Sequence, residues 1–591
     1  MRIALPLLLL IALLTAAFFW RAPDQPVELT TVNPTAVHSL DPQRMSWSHD
    51  IRVAYALFEG LLTYDAQTMR LLPGVAESWS VSDDHLTYTF HLRHNARWSN
   101  GDPLTADDFR YAWRWGLMPE NAAPYTDFFM RFRGSAAFFQ WAADSLKSVQ
   151  AELKHDHAAG LTAANRRLED SVTRFDKLVA VAAPDPYTLV VALDHPVAYF
   201  EHLVAFPPLF PLHRPTLNRF IAINPVGGAA ERSPDWTKAG RMIGNGPFRL
   251  VQWRFKQDIL MARNENYWNA AAVGLRSLRL VSIDHVNTAF LAYETGAVDL
   301  LLDATPLAFA PELLEQVAAG RRNDVRAADA FGTYYYQFNC SPTLVGGKPN
   351  PFADPRVRLA LAMCLDKQAV VDHVTRLRQA VARSLIPPDG TIPGYTPAQG
   401  PAYDPDAARR LLAEAGYPAG KNFPQVELLF NTGGGHGLVA QAVARMWIEQ
   451  LGLHVVPSGV ESKVAEERVQ NGDYMIVRRS WFGDYPDPTT FLDLFATGAS
   501  DNRAFFSDPS YDALLQQAAV TIDPAARLAT LRDAEQRLLD QQPIIPIYFY
   551  KTICIYNPAK IRGVSSHPRG LQMFSQMSVT PGGGDESPPR K

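Results

Sequence analysis

Residues Leu57–Trp113 read LFEGLLTYDAQTMRLLPGVAESWSVSDDHLTYTFHLRHNARWSNGDPLTADDFRYAW. At its centre Leu86, Tyr88, Phe90 and Leu92 alternate with Thr87, Thr89, His91 and Arg93. That alternation is a strand with one buried face. Asn100-Gly101 then marks a turn, and a helix follows. Thr105 stands at its N-cap, and Asp108, three residues on, suits the reciprocal capping position.

The alternation of strands and helices continues outward from this stretch. PYTLVVALD, ending at Asp194, reads as a second strand. Ser135 to Lys177 between them is polar with a helical pattern and reads as an inserted helical pair. Gly244-Asn245-Gly246-Pro247-Phe248 is a tight turn entering a strand, not a dinucleotide loop, because Pro247 and a β pattern stand where that fingerprint needs a helix. After Phe331 the chain is strand-like (GTYYYQFN) and then helical (DPRVRLALAMCLDKQAVVDHV). DPDAARRLLAEAGY starts a helix at Asp404 or Asp406 and ends it at Gly416. Leu438 to Leu451 and Arg527 to Leu539 are amphipathic helices, the latter with Leu528, Leu531 and Leu538 on one face. The class is mixed α/β. The last residues, PGGGDESPPRK, are expected to be disordered.

A chain of 591 residues exceeds what one core serves, so two to four domains are expected. With 56 basic against 60 acidic residues the net charge is −4, and no strongly basic segment offers phosphate contacts, which argues against nucleic acid. The N-terminus, MRIALPLLLLIALLTAAFFWRAPDQP, has one cation before an apolar run from Ile3 to Trp20, with small residues at Thr15-Ala16-Ala17. It is an export signal, either cleaved or retained as a membrane anchor; residues 1–26 are assigned to it. No cysteine lies near it to carry a lipid. Cys340, Cys364 and Cys554 have no metal-site spacing and read as three buried small hydrophobes.

The side chains suggest no catalytic centre, cofactor or metal. His155-Asp156-His157 sits in a charged helical segment and reads as a solvated face. Asp83-Asp84 and Asp107-Asp108 fall at turn or cap positions. No HExxH, GxSxG or GxxxxGK motif occurs.

The Leu57–Trp113 block, together with GNGPFRL and NENYWN, YYYQFN followed by DPRVRLALAMCLDK, YDPDAARRLLAEAGYP and GDYPDPTTF, resembles in order the blocks of bacterial extracellular solute-binding proteins for oligopeptides. The resemblance runs from about Leu29 to Gly563. It implies a periplasmic-binding-protein-like fold of two hinged lobes with an extra small domain, three regions in all. Lobe one would comprise 27–58, 191–330 and 552–591, with a disordered tail from about 580. The small domain would be 59–190, with the helical insert at 135–177, a departure from the commonest pattern. Lobe two would be 331–551. The implied function is capture of short peptides in the interdomain cleft for an ABC-type permease and its ATPase subunits. The implied location is the periplasm or the outer face of the cytoplasmic membrane, as a monomer, with no enzymatic step. Alternatives of the same fold are a membrane-anchored peptide sensor or envelope protein, or a binder of a nickel chelate, a sugar or a cell-wall peptide.

By position in the family blocks, Asp484 would pair with the peptide's α-amino group. Arg478, His436 and, through a one-residue gap, Arg468 would stand on the carboxylate side. Asp484 and Arg478 lie in one stretch, RRSWFGDYPDPTTF (Arg478–Phe491). In a closed cleft an unpaired carboxylate wants a cation, and arginine grips carboxylate with two parallel hydrogen bonds. Trp481 and Phe482 would wall the cleft. Tyr550 and Tyr125 would line it, and Trp47 and Ser48, with Ser46, would approach from the first lobe. Asp487, between two prolines, reads as a turn acid. Arg479 reads as structural, because strand alternation turns it to the other face.

Overall fold

The computed structural model describes residues 27–302 and 310–580. The expected export signal or anchor at 1–26 and the tail beyond 580 lie outside them. No helix among the described residues is long and apolar enough to cross a membrane.

One ten-stranded mixed sheet runs through the molecule. From edge to edge it is built of Phe248–Arg254, Asp258–Arg263, Ser277–Ser282, Leu29–Asn33, Leu300–Leu302, Ile544–Tyr556, Val325–Phe338, Ile476–Phe482, Val426–Asn431 and Val455–Val460. The first five strands form one half and the last three the other. Val325–Phe338 and Ile544–Tyr556, with 14 and 13 residues, join the halves. They pair antiparallel with each other, but at opposite ends they serve different neighbours. Leu302 pairs with Cys554 in the first half, and Phe338 with Ile476 in the second.

Their mutual register breaks midway: Asp329 faces Lys551 and Thr333 faces Phe549, so Ala330, Phe331 and Gly332 stand against Tyr550 alone. Such a bulge bends a strand and interrupts its ladder. Here the freed amide of Phe331 donates instead to Pro568 O, and Gly483 donates to Phe331 O. A Cβ on Gly332 would lie 2.5 Å from the Phe482 ring, so only glycine fits. These two irregular strands are the only sheet connection between the halves among the described residues, and they form a hinge.

The opening stretch folds as its pattern predicts. Thr87–Leu92 is a strand whose Tyr88, Phe90 and Leu92 are buried. The helix Ala106–Gly116 follows, and the Asp108 carboxylate accepts the Thr105 amide at 2.9 Å. The strand belongs to a separate four-stranded antiparallel sheet with Ala76–Val81, Thr188–Ala192 and Val181–Asp185. Ser135–His155 and His157–Leu178 make a helical hairpin ahead of the last pair, with His155, Asp156 and His157 exposed at its tip. The small sheet shares one hydrophobic core with the first half of the large sheet. In the turn after Met242, a Cβ on Gly246 would fall 2.4 Å from Phe58 N, so the Gly-x-Gly there permits close backbone packing.

In the second half, the helices Pro355–Met363, Pro405–Glu414 and His436–Leu451 cover one sheet face through Tyr334, Tyr336 and Phe338. The helices Pro509–Val520 and Pro524–Gln541 meet Phe331 and Tyr335 in another core. Asp404, Asp508 and Asp523 cap helices as short carboxylates do, accepting the amides of Ala407, Tyr511 and Ala526. The three cysteines are free thiols: Cys364 and Cys554 are buried and Cys340 partly so.

Candidate functional site

A cavity of about 900 Å³ opens between the two halves. The hinge strands supply part of its wall through Ala330, Tyr548 and residues 550–553. The first half contributes Ser48, Ile51 and Arg52 from the helix Ser48–Leu57, and the second half His436 and alternate residues of Ile476–Phe482.

That alternation sorts the residues of one strand. Arg478, Ser480 and Phe482 share the cavity face. Arg479 and Trp481 turn away: Arg479 pairs with Glu466 at 2.6 Å, and Trp481 packs into the core around Phe331 and Tyr335. Arg479 is therefore structural, as its position in the strand implies. The same rule corrects Trp481, which fills core rather than walling the cleft.

Asp484, two residues past the strand, also lines the cavity. Its amide donates to Thr490 Oγ1 at 2.9 Å, which fixes the loop. Its carboxylate accepts only a long 3.5 Å bond from Tyr125 Oη. No lysine or arginine among the described residues forms an ion pair with it. Arg569 donates instead to the Asp484 carbonyl oxygen at 2.6 Å and lies over the Tyr64 ring, 4.5 Å from its centroid. Arg569 Nε and Nη1 are buried and unpartnered. Burial pushes the Asp484 carboxyl up to about 7, with Arg569 opposing the shift. An under-satisfied carboxylate in an enclosed wall favours an incoming cation.

Arg478, also in the wall, lies over Tyr334, 4.7 Å from the ring centroid, and donates to Tyr550 Oη and to Asn431 Oδ1 at 3.3 Å. It has no carboxylate partner among the described residues, and its Nε is buried without a hydrogen bond. His436 begins the helix His436–Leu451, and its ring stands 5.6 Å from Tyr334. Burial, with Arg478 close by, lowers its pKa to about 3, so the imidazole is neutral, and its Nδ1 has no partner. Gly433, Gly434 and Gly435 all have positive φ, which lets the backbone turn tightly into the helix start beside the cavity. A guanidinium, a neutral imidazole and a positive helix end converge there.

Other expected residues lie elsewhere. Arg468 makes a bidentate pair with Glu427 at 2.9 and 2.6 Å and reaches Asp473 at 3.1 Å, outside the cavity wall. Its role at the ligand carboxylate is corrected to an ion pair within the second half. Trp47 is 54% exposed and stacks on His38, so it too is absent from the wall, although Ser48 is in it. Phe482 and Tyr550 are in the wall, their rings 4.8 Å apart. Tyr125 reaches the site through Asp484. Asp487 is a buried structural acid: it accepts Thr489 N–H at 3.1 Å and a bidentate pair from Arg527 at 2.6 and 3.0 Å. Sequence reasoning missed Arg569, Tyr548 and Ser480. Ser480 was open to the alternation rule, whereas nothing local to Arg569 marks a residue 85 positions from Asp484.

A cavity between two half-sheets joined by hinge strands, its wall holding an acid with no ion-pair partner and a guanidinium with no carboxylate partner among the described residues, defines a two-lobed solute-binding protein. The model for bacterial extracellular solute-binding proteins, family 5, matches residues 70–503, and the chain belongs to that family. It is 30% identical over 536 residues to the periplasmic oligopeptide-binding protein OppA of Escherichia coli, covering 89% of this chain and 88% of the relative. It is 32% identical over 518 residues to the periplasmic murein peptide-binding protein MppA of Escherichia coli, covering 87% and 86%. The solved structure of the murein tripeptide-binding protein MppA of Escherichia coli superposes with a TM-score of 0.77 at 29% identity, over 94% of this chain and 99% of that one.

Proposed function

We propose that this solute-binding protein captures short peptides with free termini in the interlobe cavity and hands them to an ABC-type permease at the outer face of the cytoplasmic membrane. The Asp484 carboxylate carries the reading: it faces the cavity without an ion-pair partner among the described residues, and burial makes its ionised form costly until an ammonium arrives. Arg478 and His436 suit the opposite, carboxylate end of the same zwitterion. Between the ends, the ligand backbone would be held as an added strand, with side chains in watered pockets. The relatives named for oligopeptides and murein peptides place peptide in the same ligand class.

In this reading the chain makes and breaks no bond, and binding shifts an open–closed equilibrium about the hinge strands. The boundaries proposed for the working parts are 27–58, 191–330 and 552–591 for lobe one, 59–190 for the small domain and 331–551 for lobe two. Native mass spectrometry of the purified protein tests the proposal. Bound short peptides, released intact, are expected. A carried species without an amino group, or peptides recovered cleaved, would sink it.

A further inference from the structure

His38, His49 and Asp50 stand at the start of the helix Ser48–Leu57, outside the peptide-terminus groups described above. His49 Nε2 is 3.4 Å from His38 Nδ1 and 3.4 Å from Asp50 Oδ1, and His38 Nδ1 is 3.6 Å from Asp50 Oδ2. One donor atom from each lies within 4.8 Å of the others. A tetrahedral zinc ion with bonds of about 2.0–2.1 Å separates its ligand atoms by about 3.3–3.4 Å. The two imidazole nitrogens are already about that far apart, and each lies close to that distance from one oxygen of the Asp50 carboxylate, though not the same one.

We propose that His38, His49 and Asp50 bind a divalent transition-metal ion, zinc being the cation that their two imidazoles and one carboxylate fit best. The surroundings hold the donors in place. The Asp50 carboxylate is buried, and its Oδ1 accepts the His38 amide at 3.1 Å. The His49 ring hydrogen-bonds the backbone carbonyl of Ala36. His38 is the exposed corner, its side chain 43% accessible, and its ring stacks on Trp47 at 5.7 Å.

The charges around the cluster set its strength. Arg52, on the same helix, and Lys463, from the other lobe, both face the histidines and oppose a cation. With one carboxylate and three protein ligands, the site binds more weakly than a closed four-ligand structural site. It is also tied to the cleft: Ser48, Ile51 and Arg52 of the same helix line the cavity. A bound ion would pin the start of the helix that forms the first-lobe wall.

The test is equilibrium dialysis of the full untagged protein against zinc, read by metal analysis, for the unaltered chain and for His38→Ala, His49→Ala and a His155→Ala/His157→Ala control. About one zinc per chain is expected, with affinity falling at least about tenfold in each of the first two variants and unchanged in the control. His38 is at the surface, so its variant keeps the test valid if His49→Ala fails to fold. No stoichiometric zinc, equal binding by His38→Ala, or loss in the control instead would overturn the proposal and leave the three groups a hydrogen-bonded cluster. Peptide binding does not enter the readout, so failure here is separable from failure of the transport reading.

Discussion

Replacing Asp484 with Asn keeps the side chain's size and an oxygen for Tyr125 Oη, but removes the charge facing the cavity. For a free-amine peptide, the change leaves an ammonium without its counter-ion in a closed cleft. Breaking one side of a buried pair costs about 3–5 kcal/mol. The Tyr125 hydroxyl and trapped water soften this, so the low end applies: about 3 kcal/mol, or roughly 100-fold in Kd. An N-acetylated peptide never makes the pair, so D484N should alter its Kd by less than about threefold. Isothermal titration calorimetry of both proteins with both peptides closes a double-mutant cycle, whose coupling should exceed about 1.5 kcal/mol. Equal losses for the two peptides would refute the amine role of Asp484. Proton uptake gives a second check. With the carboxyl at about 7 in the empty protein and a peptide amine at about 7.7–8.0, affinity should peak between those values. It should fall at lower pH as Asp484 protonates and at higher pH as the amine loses its proton. D484N should lack the acidic limb.

The same shift bears on stability. The folded carboxyl, at about 7, lies above the ordinary aspartate value of 3.8, so Asp484 favours the fold fully below about pH 4 and this contribution is lost as pH rises through 7. The empty D484N protein should therefore melt above the unaltered protein at pH 8 and level with it at pH 4; thermal scans with the same result at both would contradict the shift. Arg478→Gln should weaken peptides with a free C-terminal carboxylate by about 1.5–3 kcal/mol and spare C-amidated ones, read by competition binding. Arg468→Ala should leave peptide affinity unchanged and cost no more than about 1 kcal/mol of stability in a urea titration, because its pair with Glu427 is partly exposed. Arg527→Ala, which strands the buried Asp487, should instead cost about 3–5 kcal/mol in the same titration.

Much of the architecture was legible because it is locally encoded. The period of two in Leu86–Leu92, the caps at Thr105 and Asp404, and the amphipathic runs near 438–451 and 527–539 depend on residues a few positions apart, and they appear where the pattern puts them. Alternation in Ile476–Phe482 also decides which side chains face the cavity; applied throughout, it separates Ser480 from Trp481 as well as Arg478 from Arg479. The order of blocks along the chain carried the family.

What tertiary structure alone decided is who meets whom across the chain. Arg468 and Arg478 are equal as cations in a sequence. One is neutralised by Glu427, 41 positions away, and the other is left over a tyrosine with no carboxylate partner among the described residues. Asp484 and Asp487 sit three apart in one loop, yet a helix 40 residues on brings Arg527 to pair with the second, while no lysine or arginine among the described residues forms an ion pair with the first. Arg569 enters from the far end of the chain to hold the Asp484 backbone, and His38 meets His49 because a loop folds back on a helix start. Charge and hydrogen bonding act through space over a few ångströms, whereas sequence patterns register only neighbours along the chain. The sequence determined the local elements, the strand faces and the family; only the fold decided which charges are paired and which remain for a ligand.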